Sequence, residues 1–149
     1  MIYAISGNHD EWYRDQVNAN VVEELASQLP NMEFIGHDEG ELEIAGVKIM
    51  LAHGNDATTS YATSYRVQKK VESLTSGQKP NILLMGHSHK HGYFFERNIH
   101  CFQTGCMQDQ SAWMRSKRLA AHLGFWIVEM KHRDGEVVSL KCQWNPFYV

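Results

Sequence analysis

The sequence is short of the features that would place it in several large classes. It has 3 cysteines in 149 residues, at positions 101, 106 and 142, an odd set with no paired spacing. A disulfide framework of the small secreted kind is excluded, and reduced, partly buried thiols are expected. Cys101 and Cys106, taken with His100, match none of the usual zinc-finger spacings. No apolar run approaches the ~20 residues that span a bilayer, and no basic-then-apolar leader opens the chain. We therefore expect a soluble, cytoplasmic protein with no membrane partner. Neither sign of charge dominates: 14 Lys plus Arg face 17 Asp plus Glu, for a net charge of −3. Nothing draws the whole surface to nucleic acid, so any such contact must come from a local patch. Repeats, low-complexity tracts and interdomain linkers are lacking too. A chain of this length can fold as one domain, residues 1–149, that buries roughly 70% of its unfolded surface.

What the sequence does have is histidine, nine in all. Five of them, His9, His53, His87, His89 and His91, stand in or beside the ends of apolar runs. Ile82-Leu83-Leu84-Met85, preceded by Pro80-Asn81, reads as a short strand buried on both faces. It runs into Gly86-His87-Ser88-His89. Ile2-Tyr3-Ala4-Ile5 ends the same way in Gly7-Asn8-His9-Asp10, and Val47 to Ala52 ends in His53-Gly54. In an open α/β sheet, ligands bind at the carboxyl ends of the strands. Neutral imidazole is a common ligand for transition metals. Three such strand ends meeting in one place would form a metal site, with Asn8, His53, His87 and His89 around a common point. His9, adjacent to Asn8, would point elsewhere and be free to act as an acid, held in orientation by Asp10.

The rest of the chain supplies a scaffold. Val17, Val21, Leu25 and Leu29 recur at four-residue spacing, with Val22 and Ala26 widening the stripe, and predict a helix over 18–29. Asn20 and Glu23 suit its start and Pro30 its end. Trp12 and Tyr13 are expected in core or rim packing. Phe34-Ile35 reads as a short strand. Glu41 to Ile44 alternates as a half-buried strand, and Ala45-Gly46 is a tight turn. Thr58-Thr59-Ser60 offers caps for a helix that runs through Tyr61, Tyr65, Val67, Val71 and Leu74 to Ser76-Gly77, with Lys69 and Lys70 on a solvated face. Two hairpins follow, one turning at Arg97-Asn98 and one at Asp134-Gly135. His91 is expected to be exposed. Between the hairpins, Trp113, Arg115, Lys117 and Arg118 form a basic insert with two readings. It could grip substrate phosphates, with Trp113 stacked on a base, or it could be a solvated helix anchored by Trp113 and Met114.

Gly7-Asn8-His9-Asp10, His53-Gly54 and Gly86-His87-Ser88-His89, in this order, resemble the last three of the five motifs of the calcineurin-like metallophosphoesterases. The resemblance covers residues 1 to about 105. It implies an α/β sandwich of two packed mixed sheets flanked by helices, and two-metal hydrolysis of phosphate mono- or diesters. It also implies divalent manganese, iron or zinc, with Asn8, His53 and His87 on one ion and His89 on the other. His9 would protonate the leaving group, supported by Asp10; Arg115, Lys117 and Arg118 lie beyond the resemblance and are the substrate-binding candidates on the first reading of the insert. The family's first two motifs, Asp-x-His and Gly-Asp-x-x-Asp, do not occur at such strand ends here. They carry the carboxylate that bridges the ions. Of the carboxylates considered, Asp10, Asp38, Asp56 and Asp109, none sits in the required pattern. The expectation is thus a fold lacking two βα units, with an upstream segment or a second chain completing the centre. The alternatives are an inactive regulatory domain or a nucleic-acid-binding one.

Overall fold

The computed structural model describes residues 1–54 and 62–147. The elements run β1 (Ile2–Ser6), α1 (Asn8–Val17), α2 (Val21–Gln28), β2 (Met32–His37), β3 (Glu39–Ile44), β4 (Val47–Ala52), α3 (Thr63–Ser73), β5 (Ile82–Met85), β6 (His91–Glu96), β7 (Ile99–Thr104), α4 (Ala112–Ser116), β8 (Gly124–Arg133) and β9 (Glu136–Pro146). A five-stranded mixed sheet in the order β3-β4-β5-β7-β6 forms the centre. Its inner strands β4, β5 and β7 are parallel, so their carboxyl ends share one side. β1 and β2 form a separate parallel pair, and β8 and β9 an antiparallel ribbon. The chain is therefore mixed α/β, as expected.

The core follows from the alternation of side chains across the central strands. Val47, Ile49, Ile82 and Phe102 point to one face, where Trp126, Val128, Met130, Val137 and Leu140 of the ribbon cover them. Met50, Leu83, Met85, Ile99 and Cys101 point to the other, where Val67 and Val71 of α3 pack. The run Ile82–Met85 thus has a covered residue on each face, as its unbroken apolar pattern predicts. The three hairpin turns were legible as well. Ala45-Gly46, Arg97-Asn98 and Asp134-Gly135 each place both residues at positive φ, the two-residue turn whose twist matches that of the flanking strands.

The apolar stripe of the first helical segment behaves differently from its expectation. The chain breaks at Asn18, which is left-handed at φ 53° and ends α1. It restarts at Asn20, whose side chain accepts hydrogen bonds from Val22 N–H and Glu23 N–H. In α2 the half-buried positions are Val22 and Ala26, while Val21, Leu25 and Leu29 are exposed. A two-stranded pair is too narrow to cover the full apolar arc of a helix. Trp12 and Tyr13 are exposed too, not packed as expected. α3 starts at Thr63, and the proposed caps Thr58, Thr59 and Ser60, with Tyr61, lie outside the described residues. Lys70 does not stand on a merely solvated face, because its Nζ pairs with Glu39 and ties α3 to β3.

Two leucines separate buried from uncovered surface. Leu83→Ala is expected to cost about 2–5 kcal/mol, because a fully buried side chain leaves a cavity. Leu25→Ala, at a position 46% exposed, should stay within about 0.5 kcal/mol. Urea denaturation of both variants checks the contrast, and an equal loss would mean that α2 buries its stripe.

Candidate functional site

Three strand ends converge through their backbones. Asp38 N–H donates to Ser6 O at 3.0 Å, and His53 N–H donates to Asp38 O at 2.7 Å. Gly86 N–H donates to Ala52 O at 2.9 Å. These bonds fix the ends of β1, β4 and β5 side by side before any side chain is considered. Gly7 is the N-cap of α1, and a Cβ placed on it would meet the His53 ring at 2.5 Å. Only glycine lets the imidazole lie across the start of the helix. Gly54 follows His53 at φ 78°, where a side chain would be strained.

The side chains then meet. His53 Nε2 lies 2.6 Å from Asn8 Oδ1 and 3.0 Å from His87 Nδ1. One imidazole nitrogen carries either a proton or a lone pair, so it cannot complement both neighbours. A cation shared by all three would resolve that conflict. Ligand atoms about 2.1 Å from an ion lie about 3.0–3.4 Å from one another, close to the spacing here. His89 lines the same cavity, of about 180 Å³, and its buried Nδ1 has no hydrogen-bond partner. His87 and His89 take positive φ, at 65° and 54°, which costs a non-glycine residue roughly 1–2 kcal/mol. The turn is held by Ser88, whose hydroxyl donates to Gln103 Oε1. Gln103 is fully buried, and its carbonyl accepts from Trp126 Nε1–H at 2.9 Å.

Electrostatics favour the ligating form of these rings. Burial pushes His87 down to about 4, and the neighbouring His53 adds to the shift. Burial also lowers His53 and His89, with the carboxylates of Asp38 and Asp10 pulling His53 the other way. All three imidazoles are neutral at pH 7, so a cation need displace no proton to bind them.

Residues 1–129 match the model of the calcineurin-like phosphoesterase superfamily domain. The chain belongs to this family. Several solved structures are similar, each distantly. Vps29 from Entamoeba histolytica, complexed with zinc, shares 15% identity over 99% of this chain and 100% of that one, with a TM-score of 0.48. A predicted phosphoesterase from Streptococcus pneumoniae shares 15% over 96% and 97%, with a TM-score of 0.48. Vacuolar Protein Sorting 29 from Cryptosporidium parvum shares 15% over 97% of each chain, with a TM-score of 0.46. No curated protein matches the chain.

The phosphoesterase-like constellation departs from the sequence reading in several places. His9 is exposed and lines the cavity. Asp10 does not bond to it, because its Oδ2 accepts from Gly7 N–H at 2.9 Å and caps α1. A carboxylate at the third helical position finds unpaired backbone N–H groups closer than a neighbouring ring. Arg115, Lys117 and Arg118 are exposed and do not line the cavity, whereas Trp113, Met114 and Leu119 of the same insert do. His91 is not exposed: its ring stacks on Trp144 with centroids 4.2 Å apart. His100 binds Tyr93 OH at 2.8 Å while Cys101 is buried behind the sheet. The alternation of β7 thus puts His100 and Cys101, two of the three residues weighed as a zinc set, on opposite faces. Among the described residues no cluster of three His, Cys, Asp or Glu side chains is spaced to hold a metal ion. The neutral pair of histidines with Asn8 is what the described residues bring together, and Asp56 lies outside them.

One carboxylate that the sequence reading considered and set aside lies at the site. Asp38 follows β2 directly, and its backbone bridges the ends of β1 and β4. Its buried Oδ1 has no hydrogen-bond partner, and its charge is the strongest of those that favour protonated His53. Sequence reasoning set it aside as outside any strand-end pattern, because no apolar run longer than Phe34-Ile35 announced the strand before it. Asp38→Asn keeps a residue that tolerates the left-handed backbone found here, φ 56°. It should weaken Mn²⁺ binding severalfold, on the order of 1 kcal/mol for one screened charge. Calorimetric titration of both proteins checks this, and unchanged affinity would remove Asp38 from the site.

The lowered histidines also predict acid sensitivity. The unfolded chain takes up protons near pH 6.5 and the folded one only lower, so their stabilising effect is complete above 6.5. It is lost as pH falls from 6.5 through about 4, the value for His87. Melting in EDTA across that window should show a falling Tm, and His87→Gln should flatten part of the slope.

Proposed function

We propose that this chain supplies the histidine side of a two-metal phosphoesterase centre whose substrates are phosphate mono- or diesters. The observation that carries this reading is the meeting of Asn8 Oδ1 and His87 Nδ1 at His53 Nε2, 2.6 and 3.0 Å away. Asn8, His53 and His87 would hold one divalent ion, and His89 would offer its unpaired nitrogen to a second. Manganese, iron and zinc all suit such donors. When bound, the ions polarise the phosphoryl oxygens and supply hydroxide for in-line attack. His9, exposed and lining the same cavity, would give a proton to the departing oxygen. Asp10 serves by capping the helix that carries both. Arg115, Lys117 and Arg118 would act only on parts of a substrate that reach beyond the cavity, as nucleic acid could.

The donor set is neutral, and that limits the isolated chain. Two dications ~4 Å apart repel by roughly 17 kcal/mol at an effective dielectric constant of 20. Without a carboxylate between them, the chain holds at most one ion, weakly. An acidic segment, upstream in the same polypeptide or from a second chain, would complete the centre. Two features support this. Among the described residues β1 pairs with β2 alone, and Met1, Ile2, Trp12 and Val17 expose apolar surface nearby in sequence. Its three free cysteines suit a reducing, cytoplasmic setting. The second reading is an inactive regulatory or nucleic-acid-binding domain on the same scaffold, which the neutral donor set favours.

Titration with Mn²⁺ or Zn²⁺, followed by assay on an aryl phosphate and a phosphodiester, separates the readings. We expect one weak site, its loss in His53→Ala, and negligible turnover until the acidic segment is added. In the completed enzyme, His9→Ala should lower turnover 10²–10⁴-fold, about the usual contribution of an acid catalyst, with metal content unchanged. No metal binding at all would favour the inactive domain, and robust turnover by the lone chain would refute the missing-carboxylate account.

A further inference from the structure

The cavity has two unlike walls. Asn8, His53, His87 and His89, with His9, Ser88 and Lys90, form the polar one, and Trp113, Met114 and Leu119 form the apolar one. The second wall is not adventitious. Met114 is buried, and Ser111 caps α4 by accepting Met114 N–H at 3.2 Å. Gln110 Nε2–H donates to Leu119 O at 2.7 Å. Beyond the insert, Lys90 Nζ donates to Ala120 O and His122 N–H donates to His89 O at 2.8 Å. The insert is therefore tied to the very segment that carries His89, and its distance from the histidines is set. Yet Trp113, in the middle of it, is 63% exposed. The indole is thus left uncovered on a fixed wall of the cavity that holds the imidazoles, with its ring open to a ligand. Arg115, Lys117 and Arg118 of the insert, by contrast, do not line the cavity.

We infer, on the basis of the phosphoesterase reading above, that the substrate carries a flat aromatic group next to its phosphate and that Trp113 is the platform on which this group stacks. The phosphoryl group lies against the histidines and the ring against the indole. A cavity of about 180 Å³ takes the phosphate and one edge of the ring, and the rest of the molecule leaves past Trp113. Specificity then comes from stacking, which accepts any π-face, and not from a cluster of cations. Phosphate esters of nucleosides and of simple phenols share this chemistry, and alkyl phosphates and bare sugar phosphates do not.

Binding calorimetry in excess Mn²⁺ tests this without relying on turnover. Adenosine 5′-monophosphate should bind about tenfold more tightly than ribose 5-phosphate, within the range that base stacking on an aromatic side chain provides. Phenyl phosphate is compared with methyl phosphate in the same way. A gain in both pairs makes the platform generic for aromatic rings, and a gain in the nucleotide pair alone narrows the class to nucleotides. Trp113→Ala should abolish the gain and leave the ribose 5-phosphate affinity unchanged, while Trp113→Phe should keep most of it. Circular dichroism confirms that the variants fold. Equal binding of ring-bearing and ring-free phosphates by the unaltered chain, or a preference that survives Trp113→Ala, overturns the inference while leaving the phosphoesterase reading intact. Failure of every phosphate to bind overturns both.

Discussion

The imidazole of His53 lies so close over Gly7 that no side chain can stand between them, and the site depends on that contact. It brings the end of β4 onto the start of α1, so that Asn8, the first helical residue, reaches the ring nitrogen at 2.6 Å. The neighbouring backbone bonds from Asp38 to Ser6 and from His53 to Asp38 hold the same two ends in register. β5 then adds His87 through its parallel pairing with β4. Remove the close approach and the three donors would sit on separate strand ends with nothing in common.

The second constraint is charge. The donors are uncharged, buried enough to resist protonation, and short of the anions that two metal ions need. Asp38 supplies a negative charge beside His53, and Asp10 adds another while occupied with the helix cap. Both act at a distance, because neither belongs to a cluster spaced to hold metal. On the proposed reading, a family member with this balance would bind cations through geometry more than through Coulomb attraction. Imidazole basicity would then set its affinity for a first ion, and whatever else approaches its affinity for a second.

The parts of this arrangement that were legible in the sequence are those fixed by short-range chemistry. Gly-Asn-His after one apolar run, His-Gly after a second and Gly-His-Ser-His after a third located the donors, because strand ends and glycine turns are local events. The hairpins at Ala45-Gly46, Arg97-Asn98 and Asp134-Gly135 were legible for the same reason. Long-range packing was not. The stripe Val21, Leu25 and Leu29 has the spacing of a buried face, yet only two strands lie beneath α2 and that face stays uncovered. His91 has the sequence context of an exposed residue and lies on Trp144, more than fifty positions away. Asp38 gave no signal because its role comes from the neighbours that its backbone bridges. Arg115, Lys117 and Arg118 share an insert with Trp113, and only the fold decides that the indole and not the cations faces the cavity.

The central claim is that one cation is held among Asn8, His53 and His87. Anomalous diffraction from crystals soaked in Mn²⁺, recorded on both sides of the manganese absorption edge, locates it most directly. The account predicts one peak about 2.1–2.3 Å from Asn8 Oδ1, His53 Nε2 and His87 Nδ1, a usual range for such ligands, and no second peak of comparable height beside His89. A peak elsewhere, for instance between His91 and His122, or no peak at these three donors, would contradict it.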